Sequence, residues 1–373
     1  MAKAPKAGEK GGFLSSFAKD WEDIDGVTTS SQPPRYWYSF GNHVLNKVMS
    51  GSFYKGVPQG RITSLAGSSG AGKSFIAANL VRSAQESGAI VLVVDSENAL
   101  DDEFVGKIGV DVDKDYFYAS VTTVSQVTKV VSRFLKGYKA EHGTDESAPH
   151  AFILIDSLDM LMTDTELEHY EKGNQKGDQG QRNKQLKAML RTFVQDVKNI
   201  NVTLVFTSQV YKNQDVMNGE GLWIVSDAVK YSASQIVLLS KLKLKDKTAN
   251  EVTGIRMKCE GYKTRFTKPF QTVVVEVPYE TGMDPFSGLL EVAIALGVVN
   301  KKGSRYIMDG QEASWYSHEI EKYAKDIMDR CEALSDHRLL VGDDDEVDHD
   351  DFEADVSAKS RRANKAVGDV DTE

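Results

Sequence analysis

Between residues 60 and 240 the chain alternates short apolar runs with longer stretches of helical periodicity. Residues 89–94, 151–155 and 202–207 are nearly continuous in apolar side chains. That is the pattern of strands buried on both faces of a parallel sheet, where alternation disappears. Shorter candidates lie at 61–66, 116–119 and 235–239. Helices are expected over 74–87, 124–138 and 185–197, with Gly88 placed to end the first. After residue 240 the pattern changes. Lysine alternates with leucine over 241–245, and runs at 255–259 and 272–277 follow, which predicts an antiparallel extension of the sheet. Helical periodicity returns at 289–296 and 317–334. The expected fold class is α/β, a mostly parallel central sheet with helices on both faces. An N-terminal segment precedes it and a small C-terminal lobe follows.

Residues 1–35 are rich in Gly, Ser, Pro and scattered charge, interrupted by Trp21. The cluster Tyr36-Trp37-Tyr38 packs either on its own domain or on a neighbouring copy. The expected organisation is an arm and oligomerisation segment over 1–50, a core over 51–285, a lobe over 286–342 and an acidic tail over 343–373.

The chain of 373 residues suits one large domain with smaller flanking pieces. Two cysteines, Cys259 and Cys331, argue against a disulfide framework. The first twenty residues carry no apolar leader segment, and no apolar run reaches membrane-spanning length. A soluble, reducing compartment is expected. Formal net charge is −10, and residues 343–373 hold twelve acidic against four basic side chains. The body is therefore nearly neutral, and overall acidity says little against binding a polyanion through local basic surfaces.

The strongest local signal is Gly67-Ser68-Ser69-Gly70-Ala71-Gly72-Lys73-Ser74 between an expected strand and an expected helix. Such a loop turns backbone N–H groups toward phosphate oxygens, with Lys73 for the β and γ phosphates and Ser74 for magnesium. Asp156 ends Phe152-Ile153-Leu154-Ile155-Asp156, a strand-end carboxylate suited to supporting the same metal. Asp95 and Glu97 follow another strand. Glu97 is the preferred general base, although charge alone does not separate the two. Gln209 ends Val205-Phe206-Thr207-Ser208-Gln209, where an amide can sense a γ phosphate.

Two polar segments follow strands of this sheet. Residues 171–184 contain three glycines with Lys172, Lys176, Arg182 and Lys184. Residues 211–227 mix Lys212, Asn213, Gly219, Gly221 and Trp223. Amides, cations and aromatics together suit contact with a single nucleic-acid strand, while each segment alone also reads as a solvent-facing linker. Trp223, flanked by Leu222, Ile224 and Val225, reads equally as a buried anchor.

Over roughly residues 45–320 the sequence resembles the RecA-like recombinases, most closely the UvsX-type branch from T4-type bacteriophages. The resemblance rests on 67–74, Val93-Val94-Asp95-Ser96-Glu97, Ile153-Leu154-Ile155-Asp156-Ser157, Phe206–Gln209 and, for that branch, the stretch Gly282-Met283-Asp284-Pro285-Phe286-Ser287-Gly288-Leu289-Leu290. It implies a RecA-type phosphate-loop ATPase core, with ATP and Mg2+ as cofactors. Glu97 becomes the catalytic glutamate, Phe104 an aromatic that stacks on adenine, and Gln209 a link from the γ phosphate to the second DNA loop. Lys263 and Arg265 match a basic pair that reaches across a filament interface. The resemblance further implies a homo-oligomeric helical filament on single-stranded DNA. Exchange with double-stranded DNA would serve recombination, repair and replication, in the cytoplasm of a phage-infected bacterium. A phage single-strand-binding protein and a recombination mediator are implied partners. Residues 36–40 and the arm are candidates for the filament contact, and the tail, with nine carboxylates over 343–355, for restraint of duplex binding. A RecA-core helicase or translocase, or an oligomeric ATPase that does not act on DNA, are the competing readings.

Overall fold

The computed structural model describes residues 33–174, 180–212, 223–245 and 251–334. The arm with Trp21, Lys176 in the first polar segment, Asn213, Gly219 and Gly221 in the second, and the acidic tail lie outside these residues.

The described chain opens with β1 (Trp37–Tyr38), α1 (His43–Ser50) and β2 (Val57–Pro58). The alternating part is β3 (Ile62–Gly67), α2 (Lys73–Glu86), β4 (Ile90–Asp95), α3 (Asp102–Ile108), β5 (Tyr116–Ser120), α4 (Val124–His142), β6 (Ala151–Asp156), α5 (Asp164–Glu171), α6 (Gln181–Asp196) and β7 (Val202–Ser208). Two short strands, β8 (Tyr211–Lys212) and β9 (Trp223–Ile224), precede α7 (Asp227–Ser232). Then come β10 (Gln235–Lys245), β11 (Val252–Lys263), β12 (Thr272–Pro278), α8 (Leu289–Ala295), β13 (Val299–Lys302), β14 (Arg305–Met308), β15 (Ser314–Tyr316) and α9 (Ile320–Leu334).

The main sheet has eight strands in the order β12-β11-β10-β3-β7-β6-β4-β5. From β10 to β5 every pairing is parallel, and β11 and β12 join antiparallel. This is the α/β architecture expected from the apolar runs. The 241–245 alternation is the outer half of β10 itself. There the strand passes beyond its two-sided cover, and its lysines become exposed.

Successive residues of the central strands feed two separate cores. Leu65, Val91, Val93, Phe152, Leu154 and Val205 face α2, while Leu92, Val94, Ile153, Ile155, Leu204 and Phe206 face α4 and α6. At about 25 cal/mol per Å2 of apolar surface removed from water, these two layers dominate the stability of the sheet. The C-terminal elements add Leu289, Trp315, Ala324, Ile327 and Cys331 to the α2-side core. Both cysteines are buried and free. Among the described residues no helix is long and apolar enough to cross a membrane.

The aromatic segment takes the first of its two expected placements, on its own domain. Tyr38 and Phe40 are fully buried in the protomer's own core. Pairing of β1 with β2 and the bond from Phe40 N–H to Asn46 Oδ1 at 2.9 Å hold the segment there. Tyr36 stacks on His150 at 3.5 Å. Tyr38 and Phe40 are spent on the protomer's own packing, while Tyr36 stays half-buried.

Candidate functional site

The carboxyl ends of β3, β7, β6 and β4 lie side by side, because those strands are neighbours in that order. Strand spacing of about 4.8 Å therefore places the phosphate loop, Gln209, Asp156 and the Asp95–Glu97 turn along one sheet edge roughly 15 Å wide.

β3 runs straight into the loop, and α2 begins at Lys73. Gly70 and Gly72 take φ of 72° and 96°, a region that side chains with a Cβ avoid. A Cβ on Gly72 would come within 2.4 Å of Met257 Sδ, and one on Gly67 within 2.6 Å of the Leu239 carbonyl. The loop is thus pressed against β10 and β11 with no room for side chains at those points. Lys73 Nζ donates to the carbonyls of Gly67 and Ser68, each at 3.0 Å. Burial lowers its pKa, opposed by the charges of Glu97, Asp156 and Asp159. The first turn of the fourteen-residue α2 adds unpaired N–H groups and the positive end of the helix dipole.

Asp95 and Asp156 are register partners on β4 and β6. The geometry separates Asp95 from Glu97. Asp95 is fully buried. It accepts the N–H groups of Glu97, Asn98 and Leu100 at 2.8, 2.8 and 3.0 Å, and the Tyr118 hydroxyl at 3.1 Å. It shapes the turn. Glu97 is exposed, and its Oε1 accepts the Ser157 hydroxyl at 2.5 Å. Ser157 is held in turn by Ser96: its N–H donates to Ser96 Oγ at 3.0 Å, and Ser96 Oγ donates to its carbonyl at 2.7 Å.

Asp156 is 1% exposed. Oδ1 accepts the Thr207 hydroxyl, and among the described residues Oδ2 is buried with no hydrogen-bond partner. Burial raises its pKa, against the lowering influence of Thr207 and Ser74. A lone buried carboxylate oxygen beside a phosphate loop and a serine fits a hard cation that takes one or two protein oxygens and fills its other positions with phosphate and water. Among the described residues there is no cluster of three acidic, His or Cys side chains that would cage a metal on its own.

Gln209 follows β7 and is half-buried. Its N–H donates to Asp159 Oδ2 at 2.6 Å. Tyr211 Oη donates to Asp159 Oδ1 at 2.9 Å, and Arg182 Nη1 to the Asp159 carbonyl at 2.9 Å. Asp159 carries contacts at this edge that motif reading passes over, and Ser157, the last residue of the Ile153–Ser157 motif, carries others. The sequence signal for Asp159 is its position, three residues after the strand-end Asp156.

The two polar segments are shorter than their composition suggests. Glu171 closes α5, and α6 already includes Arg182 and Lys184, since a first helical turn needs no apolar side chain when Gly180 starts it in a left-handed conformation. In the second segment, Tyr211 pairs with Ile224 and Lys212 with Trp223 as an antiparallel ribbon. Asp227 begins α7.

Phe104 sits half-buried on α3, the helix after the Asp95 turn, and packs against the α2-side core. Lys263 and Arg265 are not brought to this edge. Lys263 is the last residue of β11, opposite Ile236, and its Nζ donates to the Lys230 carbonyl at the end of α7. Burial and Arg265 lower its pKa. Arg265 is exposed and close enough to Arg61 to lower the latter's pKa, after the larger effect of burial. Arg61 lies six positions before Gly67 along β3. At about 3.3 Å per residue, roughly 20 Å of strand separates Arg265 from the phosphate loop.

Fold and site define an α/β protein of the phosphate-loop class, with an acidic turn, a metal-competent Asp and a polar amide on consecutive strand ends. The RecA N-terminal domain family matches residues 38–284. The chain belongs to the RecA family. It is similar to Protein RecA of Thermus aquaticus, 28% identical over 293 residues, which is 77% of this chain and 79% of the relative. Protein RecA of Thermus thermophilus is 27% identical over 296 residues, with the same coverage of each chain. Protein RecA of Frankia alni is 26% identical over 275 residues, 73% of this chain and 74% of the relative.

Proposed function

We propose that this chain is an ATP-dependent recombinase of the UvsX-type branch found in T4-type bacteriophages. It assembles into helical filaments on single-stranded DNA and exchanges that strand into homologous duplex. The observation that carries the reading is the division of the cations. Lys73 stands at the phosphate loop, whereas Lys263 is level with Ser64, three residues before the loop on β3, and Arg265 lies further back beside Arg61. A protomer cannot bring Arg265 to its own loop. A head-to-tail neighbour can present it, and such contacts repeat without closing. Hydrolysis then depends on assembly, and assembly depends on DNA. Identity of the strands is read by base pairing, while the protein grips backbone.

In this reading the N–H groups of residues 68–74 and Lys73 hold the ATP phosphates, Phe104 meets the adenine and Gln209 meets the γ phosphate. Ser74 and Asp156 hold Mg2+, which neutralises phosphate charge when bound. Glu97 takes the proton of the attacking water, its carboxylate aimed by the Ser157 hydroxyl. Lys263 and Arg265 of the next copy stabilise charge developing on the leaving phosphates. A single-strand-binding protein and a loading mediator are the expected helpers.

The test combines electron microscopy of the protein with ATP and single-stranded DNA and a strand-exchange assay. Helical filaments with homologous exchange are expected. Closed rings that unwind forks would replace this reading with a helicase, and ATPase activity indifferent to DNA would remove the nucleic-acid role.

A further inference from the structure

Asp159 stands three residues beyond the metal-competent Asp156, and its contacts reach three separate parts of the chain. Its two carboxylate oxygens are divided between residues on either side of Val210. Oδ2 accepts the Gln209 N–H at 2.6 Å, and Oδ1 accepts the Tyr211 hydroxyl at 2.9 Å. Arg182, in the first turn of α6, donates to the Asp159 carbonyl at 2.9 Å and places Nη2 at 3.9 Å from Oδ1. The side chains of Asp159 and Arg182 are 13% and 28% exposed, so solvent and salt screen this cluster less than a surface pair. The same carboxylate is felt by Lys73. One side chain thereby joins the segment carrying Gln209, the strand Tyr211–Lys212 and the helix that follows the first polar segment.

We propose that Asp159 is a positioning residue that makes these three pieces move as one, so that a strand held by either polar segment alters how Gln209 meets the phosphates. This rests on the reading of the chain as a DNA-stimulated ATPase. Asp159 touches no reacting atom. Its effect passes through the main chain of Gln209, which a side-chain substitution at 209 leaves in place, and through Tyr211 and Arg182, which stand at the edges of the two segments.

The test measures ATP turnover of full-length protein across a titration of single-stranded oligonucleotide, with wild type run in parallel. Asp159→Ala is expected to lower the ratio of DNA-saturated to DNA-free kcat by about tenfold, while KM for ATP moves less than about threefold. Tyr211→Phe is expected to lower that ratio about threefold in wild type and less than about twofold in the Asp159→Ala background, because its partner is already gone. If Asp159→Ala does not fold, the isosteric Asp159→Asn is expected to lower the ratio about threefold. A folded variant whose two rates fall in parallel, leaving the ratio at its wild-type value, would reduce Asp159 to a structural residue and overturn the proposal. Wild type that shows no stimulation would overturn the function reading and this proposal with it. Stimulated wild type with an equally stimulated variant overturns the proposal alone.

Discussion

Asp95 accepts the backbone N–H of Glu97 at 2.8 Å, so the carboxylate buried at the strand end aims the one that stays exposed. Among the described residues the Glu97 side chain has one hydrogen bond, from Ser157, and it stays exposed to water. Glu97→Gln keeps the shape and the Ser157 contact but removes the proposed base. Turnover is expected to fall by a factor of about 100 or more, the range for losing a general base, with nucleotide affinity near wild type. Steady-state hydrolysis and equilibrium binding of an ATP analogue check the two halves separately. Parallel loss of both would assign Glu97 to binding.

The opposite result is expected at Asp95. Its oxygens face three N–H groups and a phenol, so the amide of Asp95→Asn turns a donor toward donors. Leaving buried groups unpaired in this way costs about 2–4 kcal/mol, most of it structural. Urea unfolding measures it as a lower midpoint at unchanged slope. A variant as stable as wild type but inactive would move the catalytic role from Glu97 to Asp95.

Asp156 gives a pH signature. Burial raises its pKa in the folded protein above the unfolded value. Between the two values the folded state binds more protons than the unfolded one. Its contribution is therefore favourable at acid pH and is lost as pH rises through the folded pKa. Asp156→Asn is expected to melt higher than wild type at pH 7 without nucleotide, by about 1–3 kcal/mol of relieved desolvation, and to lose that advantage near pH 4. Magnesium with an ATP analogue should then stabilise wild type more than the variant. Thermal melts across pH and ligand check both. A variant that melts lower than wild type at pH 7 would mean that the ionised carboxylate is already satisfied.

The phosphate loop, Asp156 and Gln209 were legible because each signal is local: a run of glycines before Lys-Ser, or an apolar strand ended by one polar residue. The central strands were legible for the same reason, being apolar on both faces. What escaped was set by distant partners. Asp159 gains meaning from Arg182, Gln209 and Tyr211, which lie 23, 50 and 52 residues away in sequence. The strands β13 to β15 escaped because Lys301, Lys302 and Arg305 face solvent and leave little apolar alternation. Helix α1 is short, and its Lys47 and Asn46 are buried by tertiary contacts that no periodicity announces. The first polar segment was read too long because polar residues at the start of α6 look like loop until Gly180 is seen to start a helix.

Whether the site is divided between two copies of the chain is decided by mixing two variants. In the proposed filament, Glu97→Gln spoils the phosphate-loop side of a junction, and Arg265→Ala spoils the far side. Each alone leaves no intact junction. In a random equimolar mixture, about one junction in four joins an intact phosphate-loop side to an intact cation side. DNA-dependent turnover of the mixture is expected to reach about a quarter of the wild-type rate, well above either variant alone. Turnover of the mixture equal to the average of the two separate variants would contradict a shared site and return Arg265 to a role within its own protomer.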